Sequence, residues 1–389
     1  MSSWPDKQPV VSIIIPTYNR ARIVVNAVES ALAQSYPRCE VIVVDDGSTD
    51  GTREALARYA GRITYLYQKN KERSAARNNG LRHASGQYVV FLDADDVLLP
   101  EMVSVQTEYL ERHPQAAFVH AYALMADAEG RVLKPQVLIG APLDPSRPAF
   151  ASLIMGTPVL PSSALARWEL VQAVGGFDET LSVGEDWDLW LKLAVRGEVG
   201  FTHQPVAVYA VEAAYSPDKL DGYNVQDNIP RMIERAFTYL PPGSLLIELK
   251  PRALARAHIQ WGACVEHALG RTDRAQFHIR QALSADPALA ADVEVVPKGV
   301  ARFATWHQQD GAAFIRSFFR QLSPSSEWKK LERSTLVLYH SKMGHTAATQ
   351  RRYGKAASHA LRAAFAEPSA LAWAGRQFVR RLWHRAFGR

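Results

Sequence analysis

The sequence is poor in the residues that build covalent or soft-metal frameworks. Its 389 residues include two cysteines, Cys39 and Cys264, far apart and outside any CxxC. A disulfide scaffold and a cysteine-type zinc site are therefore excluded, and a reducing compartment is expected. Long apolar runs are also missing. The stretch 10–15 is too short for a signal segment and stops at Pro16, and 149–160 is interrupted by Gly156 and Pro158. No window approaches the ~18 apolar residues of a spanning helix, so an unsecreted, cytoplasmic protein that does not cross a membrane is expected. GxxxxGK[ST] and HExxH are absent, and the first strand-to-helix turn, 16–20, lacks the glycines of GxGxxG. Kinase-type and dinucleotide-dependent chemistry both lose support, as does imidazole-rich metal binding.

What is present is globular: 47% hydrophobic and 22% charged residues place the chain away from disordered or fibrous proteins. Charge is uneven. Residues 330–389 hold 12 Lys/Arg against Glu332 and Glu367, leaving 33 basic and 37 acidic residues, a net −4, for the rest of the net +6 chain. The basic character belongs to the tail, where Leu371, Phe378, Val379, Leu382 and Ala386 form an apolar stripe broken by Arg385. A solvated basic helix is one reading and peripheral contact with anionic lipid another. Nucleic acid is not expected as a partner, because the N-terminal half is net acidic and holds no recognised module.

From 10 to 111, strand-length apolar runs (11–15, 40–44, 63–67, 88–92) alternate with segments of helical period, which predicts βαβ units and a mostly parallel sheet with helices on both faces. Helices are expected over 52–59, 74–83, 162–174 and 186–195, and short strands over 199–202 and 206–209. After Pro241 the composition turns to Ala, Arg and Leu with helical period, and a boundary is placed in 215–245. Within 259–287, Ala263, Gly270, Ala275, Ala282 and Pro287 are spaced like a tetratricopeptide-type helical hairpin, although an ordinary helical pair fits as well.

In open α/β sheets ligands gather beyond the carboxyl ends of the strands. Polar clusters follow the apolar runs at Pro16-Thr17-Tyr18-Asn19, Asp45-Asp46-Gly47-Ser48 and Asp93-Ala94-Asp95-Asp96. Singly, each has a bland reading: Asn19 as a cap for a helix beginning near Ala21, and Ser48 or Asp50 as the cap of the next helix. Together they set five acidic residues on one sheet edge, where repulsion costs stability unless a cation binds. Carboxylate oxygens favour Mg²⁺ or Mn²⁺, ions completed by substrate phosphates, and so a diphosphate-bearing substrate, with Arg73 or Arg77 assisting. A fourth cluster, Glu185-Asp186-Trp187-Asp188, opens a helix. Its acids either complement the helix dipole or supply a general base to an attacking hydroxyl.

Taken in order, SIIIPTYN (12–19), VIVVDDGSTD (41–50), AARNNG (75–80), FLDADD (91–96), GGFD (175–178) and GEDWDLW (184–190) resemble the family 2 glycosyltransferases of the GT-A fold. The resemblance covers about residues 10–210. It implies a catalytic domain over 1–225, with a nucleotide-sugar half (10–111) and an acceptor half (112–225); composition and charge place a helical region over 226–330 and a basic helical tail over 331–389 after it. It further implies inverting, non-processive transfer from a nucleotide-diphospho sugar, a UDP-sugar before others, to a saccharide or lipid-linked hydroxyl in cell-surface polysaccharide, lipopolysaccharide or glycolipid synthesis. Pro16, Thr17, Tyr18, Asn19 and Asp46 would hold the nucleoside and Arg77 would approach the diphosphate. Asp93, Ala94 and Asp95 would form the DxD, with Asp95 binding Mn²⁺ or Mg²⁺ and Asp93 contacting ribose or the metal shell. Asp186 would be the base, Glu185 its neighbour at the sugar, and Trp187, Thr157 and Ser163 acceptor contacts. One departure stands out. The late histidine that many members carry near the metal has no counterpart in 208–212, and His203 is placed differently. A non-catalytic scaffold of the same fold and a sugar nucleotidyltransferase are the alternative readings.

Overall fold

The computed structural model describes residues 8–127, 131–133, 136, 138–210, 217–292, 295–307, 310–320, 326–349 and 353–366. The chain divides into two compact units, one of Met1–Ala213 with Arg235–Leu246 and the other of Ala214–Glu234 with Ile247–Arg389. The first is built on a nine-stranded sheet. In chain order it contains β1 (Val11–Thr17), α1 (Val24–Leu32), β2 (Cys39–Asp45), α2 (Thr52–Ala57), β3 (Thr64–Tyr67), α3 (Glu72–His83), β4 (Tyr88–Phe91), β5 (Val97–Leu98) and α4 (Met102–Arg112). There follow β6 (Ala116–Ala126), β7 (Leu138–Ile139), α5 (Ala149–Leu153), β8 (Ala164–Arg167), α6 (Trp168–Ala173), α7 (Glu185–Ala194) and β9 (Glu198–Ala210).

The strand order is β3-β2-β1-β4-β8-β6-β9-β5, with β7 on β6. β1, β2, β3 and β4 are mutually parallel, as the alternating pattern predicts, and β6 runs parallel to β9. The pairs β4–β8, β5–β9, β6–β7 and β6–β8 are antiparallel, so the sheet is mixed. Ile13, Ile15, Val41, Val43 and Val90 pack with Val24, Ala27, Val28 and Ala31 of α1 on one face. On the other face α3 lies so close that a Cβ on Gly80 would sit 2.4 Å from Ile14 Cγ2. Burial on both faces explains why these strands read as unbroken apolar runs rather than alternation.

Two local expectations are corrected. The span 162–174 is not one helix: it contains β8 and then α6. Ala164–Arg167 has helix-compatible composition, but β8 fills the gap between β4 and β6, and sheet pairing outweighs propensity. The two short strands at 199–209 are one strand, β9, whose register on β6 jumps from Thr202 to Pro205. A bulge there accommodates a proline that has no N–H for the ladder.

The second unit is helical: α8 (Pro217–Gly222), α9 (Val225–Ala236, ending beyond the unit), α10 (Lys250–Ala257), a π-helical turn (His258–Ala263), α11 (Cys264–Ala268), α12 (Thr272–Ala285), α13 (Val295–His307), α14 (Gly311–Arg320), α15 (Ser326–Thr349) and α16 (Tyr353–Ala366). α11 and α12 turn at Gly270, and Ala263, Ala275 and Ala282 are fully buried. α15 continues unbroken through position 330. The stripe of Leu371, Phe378, Val379, Leu382 and Ala386, with its expected lipid contact, lies outside the described residues. Among the described residues no helix is long and apolar enough to cross a membrane.

Candidate active site

The first two loops are tied together at the sheet edge. β1 and β2 are paired so that Thr17 stands beside Asp45, and the Asp46 N–H donates to the Thr17 carbonyl at 2.8 Å. The adjacent acids diverge. Asp45 turns into the scaffold, accepting from the Ser48 N–H (2.8 Å) and the Tyr65 hydroxyl (2.7 Å). Asp46 is buried and accepts from Gln68 Nε2 (2.7 Å) and the Lys71 N–H (2.9 Å). Burial pushes its carboxyl up, and those donors pull it back. Asn19 is not a helix cap, since α1 begins only at Val24. In the left-handed region at φ 51, it donates its N–H to Ser48 Oγ (2.9 Å) and accepts from the Thr49 N–H (2.8 Å), stapling the loops. Thr17 is buried with its Oγ1 unpartnered, Tyr18 is 48% exposed, and Pro16 is half-buried.

Arg77 organises the third and fourth clusters. It projects from α3 one turn before Gly80, whose missing side chain lets the helix seat against the sheet. The guanidinium is fully buried, donating from Nη2 to Asp93 Oδ1 (2.6 Å) and from Nη1 to Glu185 Oε1 (2.9 Å), over the Phe177 ring at 5.1 Å. Burial works against its charge, but Asp93 and Glu185 more than offset that, and its pKa is raised. Arg73 adds a longer contact to Glu185, 3.7 Å. Much of the positive charge that the acidic edge demands is thus supplied from within the chain. Arg77, expected at a substrate diphosphate, is engaged by two carboxylates.

Asp186 begins the next step of the site. The left-handed Gly184, φ 74, turns the chain into α7, whose first turn carries Glu185, Asp186 and Asp188. Asp186 keeps partial exposure, and its Oδ1 accepts from the Trp187 N–H at 2.8 Å. Burial first, and then the Glu185 charge, raise its pKa to about 7 against the pull of Arg77. A carboxyl held there is poised to exchange a proton near neutrality.

Sequence reasoning missed two supports. Asp96 is buried and accepts from the Ser162 hydroxyl (2.6 Å) and the Ala210 N–H (3.2 Å), while Ser162 Oγ accepts from the Asp93 N–H (3.2 Å). Burial and the nearby Asp93 charge hold the Asp96 carboxyl well above the usual range. Asp188 is fully buried beneath α7 and bound by Lys192 (2.8 Å), Arg235 (3.1 Å) and the Tyr239 hydroxyl (2.6 Å). The only signal for either was a surplus acid in its motif. The expected acceptor contacts fare differently. Ser163 is fully buried with its hydroxyl on the Leu160 carbonyl (3.0 Å), and Trp187 is buried with Nε1 on the Leu153 carbonyl (2.8 Å). The polar group of each is engaged by a backbone carbonyl beside the site. Thr157 is half-buried, its Oγ1 accepting from the Val159 N–H at 3.1 Å.

Among the described residues no group of three or more His, Cys, Asp or Glu side chains is arranged to hold a metal ion. The cation expected at the acidic edge therefore has no full protein cage among the described residues. The donor set does fit a partial site: Asp95 and Asp93 are half-exposed hard-oxygen donors on one loop, and Arg77 takes only Oδ1 of Asp93. Mg²⁺-like ions are commonly held by one or two carboxylates with phosphate oxygens completing the shell.

The family described as Glycosyl transferase family 2 matches residues 12–136, and Glycosyl transferase family group 2 matches 88–211. EpsE of Bacillus subtilis, named as a glycosyltransferase, is 30% identical over 246 residues, 61% of this chain and 81% of that protein. The uncharacterised glycosyltransferase RP339 of Rickettsia prowazekii is 36% identical over 212 residues, 53% of this chain and 65% of the relative. Two further relatives, from Rickettsia felis and Rickettsia conorii, are matched over only 31% of their length. Residues 1–349 of Staphylococcus aureus TarS, solved in complex with UDP, superpose with a TM-score of 0.50 at 18% identity, covering 92% of this chain and 91% of that one. This likeness bears on the fold alone, which is α/β of the GT-A type followed by a helical region. With the ordered motifs placed on one edge of such a sheet, the chain belongs to glycosyltransferase family 2.

Proposed function

We propose that the protein moves a sugar from a nucleotide-diphospho sugar, a UDP-sugar first among candidates, to a hydroxyl acceptor with inversion at the anomeric carbon. The observation behind this reading is the buried Asp93–Arg77–Glu185 bridge, which sets the β4 loop beside the first turn of α7. Thr17 and Asp46 would line the nucleoside end, and the unpartnered Thr17 Oγ1 offers a bond to the ligand. Asp95 and the second oxygen of Asp93 would hold Mn²⁺ or Mg²⁺. Such an ion, when bound, neutralises charge on a departing diphosphate.

Asp186 takes the proton of the acceptor hydroxyl. Its ionised form is the productive one, and ionisation near pH 7 leaves it basic enough to assist. Glu185 is held by Arg77 and Arg73, so it serves as a positioning residue. The acceptor is proposed to be a saccharide or lipid-linked saccharide of a cell-surface polymer, reached from the half-buried stretch around Thr157. Nucleotide-sugar panels with and without Mn²⁺, read as thermal shift and nucleotide release, test the reading. A Mn²⁺-dependent shift with one donor class is expected. No shift with any UDP- or GDP-sugar rejects it.

A further inference from the structure

The first turn of α7 is held from two directions. Arg77 of α3 bonds Glu185. Asp188 is gripped instead by a segment beyond residue 211, where the family match ends. That segment, Arg235–Leu246, belongs to the first unit. Arg235 stands in the last turn of α9, and Tyr239 closes the 3₁₀ turn Phe237–Tyr239 that follows. Arg235 Nη2 donates to Asp188 Oδ1 at 3.1 Å, the Tyr239 hydroxyl donates to the same oxygen at 2.6 Å, and Lys192 Nζ reaches Oδ2 at 2.8 Å. The other fork of Arg235, Nη1, pairs with Asp178 Oδ2. Between them Phe237 is buried edge-on to Phe150 of α5, with ring centroids 5.7 Å apart, and the Leu153 carbonyl of α5 accepts from Trp187 Nε1 of α7 at 2.8 Å.

The two carboxylates that Arg235 joins lie on different pieces of the chain. Asp178 belongs to the loop before α7, its Oδ1 accepting from the Thr180 N–H (2.7 Å) and hydroxyl (2.6 Å). The adjacent Phe177 exchanges two bonds of 2.9 Å with the Asn78 side chain of α3, and its ring lies 5.1 Å from the Arg77 guanidinium. Two arginines thus close a circuit through the loop, α3 and α7, and Asp186 sits in the turn of α7 between the two acids they hold. Leu189, Trp190, Leu191 and Leu193 bury α7 in the core, but apolar contact is non-directional. The left-handed Gly184, φ 74, at the start of the helix leaves the backbone its widest freedom. Charge-assisted hydrogen bonds to the fully buried Asp188 are directional and shielded from water, so they set the rotation of the helix.

We propose that Arg235 and Tyr239 are positioning residues for glycosyl transfer: through Asp188 and Asp178 they fix the rotation of α7 and hold the Asp186 carboxylate where it meets the acceptor hydroxyl. Neither touches the reacting atoms, and the inference rests on Asp186 acting as the base. Proton transfer is steep in geometry, and a misplacement of about 1 Å can cost about a hundredfold. Severing the clasp therefore slows turnover at sites that still bind nucleotide. A merely structural role would reduce the number of folded sites and leave each one as fast as before.

The test uses the full chain with Mn²⁺, below the melting onset of every protein compared: wild type, Arg235→Gln, Tyr239→Phe and Asp186→Asn. Calorimetry with UDP, or with GDP where a GDP-sugar is the donor, counts the binding sites and gives Kd. Nucleotide release from a panel of UDP- and GDP-sugars gives turnover per site. Arg235→Gln should be slower per site by about tenfold or more, with nucleotide Kd within about threefold of wild type. Tyr239→Phe loses one hydroxyl but keeps both cations at Asp188; it should be slower by about threefold or more, and it carries the test alone if Arg235→Gln does not fold. Per-site turnover equal to wild type in these variants, with Asp186→Asn slow, overturns the clasp and leaves the base standing. Asp186→Asn as fast as wild type, or a wild type that releases nucleotide from no sugar of the panel, rejects the proposed function and the clasp with it.

Discussion

Arg77 and Glu185, 108 residues apart in the chain, meet at 2.9 Å with both side chains almost completely buried. The same guanidinium reaches Asp93, so a single residue of α3 fastens the β4 loop to the start of α7. Arg77→Met would leave Glu185 buried beside acids with only the longer contact to Arg73. Breaking a buried pair from one side costs about 3–5 kcal/mol, and denaturant unfolding should show a loss of that order. Arg77→Met/Glu185→Gln should recover part of it. An additive, unrescued double variant contradicts the coupling.

Asp186 gives a pH signature. Its folded pKa, about 7, lies above the ordinary carboxylate value, so its ionised form is penalised in the fold. Its contribution to stability is therefore full below about pH 4 and is lost as pH rises through about 7. A base works only when ionised, so kcat/KM should rise over the same window, with an apparent pKa near 7. Asp186→Asn should abolish that limb and raise Tm above neutrality. A profile flat from pH 5 to 8 would argue against the assignment.

Ser162 predicts a positioning effect. Its hydroxyl donates to Asp96 and accepts from the Asp93 N–H, and Ser162→Ala strands both. Leaving such groups unsatisfied costs about 1–3 kcal/mol. Unfolding should register that loss, and Mn²⁺-dependent donor affinity should fall with it if the loop carries the ion. Unchanged stability would show that the relay contributes little.

Asp95→Asn removes the proposed direct metal ligand without touching the Arg77 bridge. Calorimetry should show donor affinity that no longer responds to Mn²⁺ or to EDTA, with Tm close to wild type. A retained Mn²⁺ response would move the ion elsewhere.

The half of the fold that builds the acidic edge was readable because β1, β2 and β4 are buried on both faces and end in polar clusters. β8 was not: its pairing with β4 and β6 is decided by partners more than forty residues earlier in the chain. Within the site, the motif acids Asp46, Asp93, Asp95 and Asp186 stood out by position after strands or at a helix start. Their division of labour did not. Asp45 and Asp46 are neighbours in sequence, yet one braces Tyr65 and Ser48 while the other lies against Gln68 and Lys71. Ser162 at Asp96, Arg235 and Tyr239 at Asp188, and Glu185 at Arg77 all come from distant segments, and no local pattern encodes those contacts. Charge counting pointed to a cation at the acidic edge, and the buried Arg77 supplies much of it.

The account rests on Asp186 acting as the base beside a donor held by other residues. The most direct measurement is nucleotide release by Asp186→Asn, using whichever nucleotide-sugar the wild type turns over, alongside calorimetric donor affinity. Turnover should fall by about 10²–10⁴-fold while the donor Kd stays within about threefold of wild type. Turnover equal to the wild type, with donor binding intact, would contradict it.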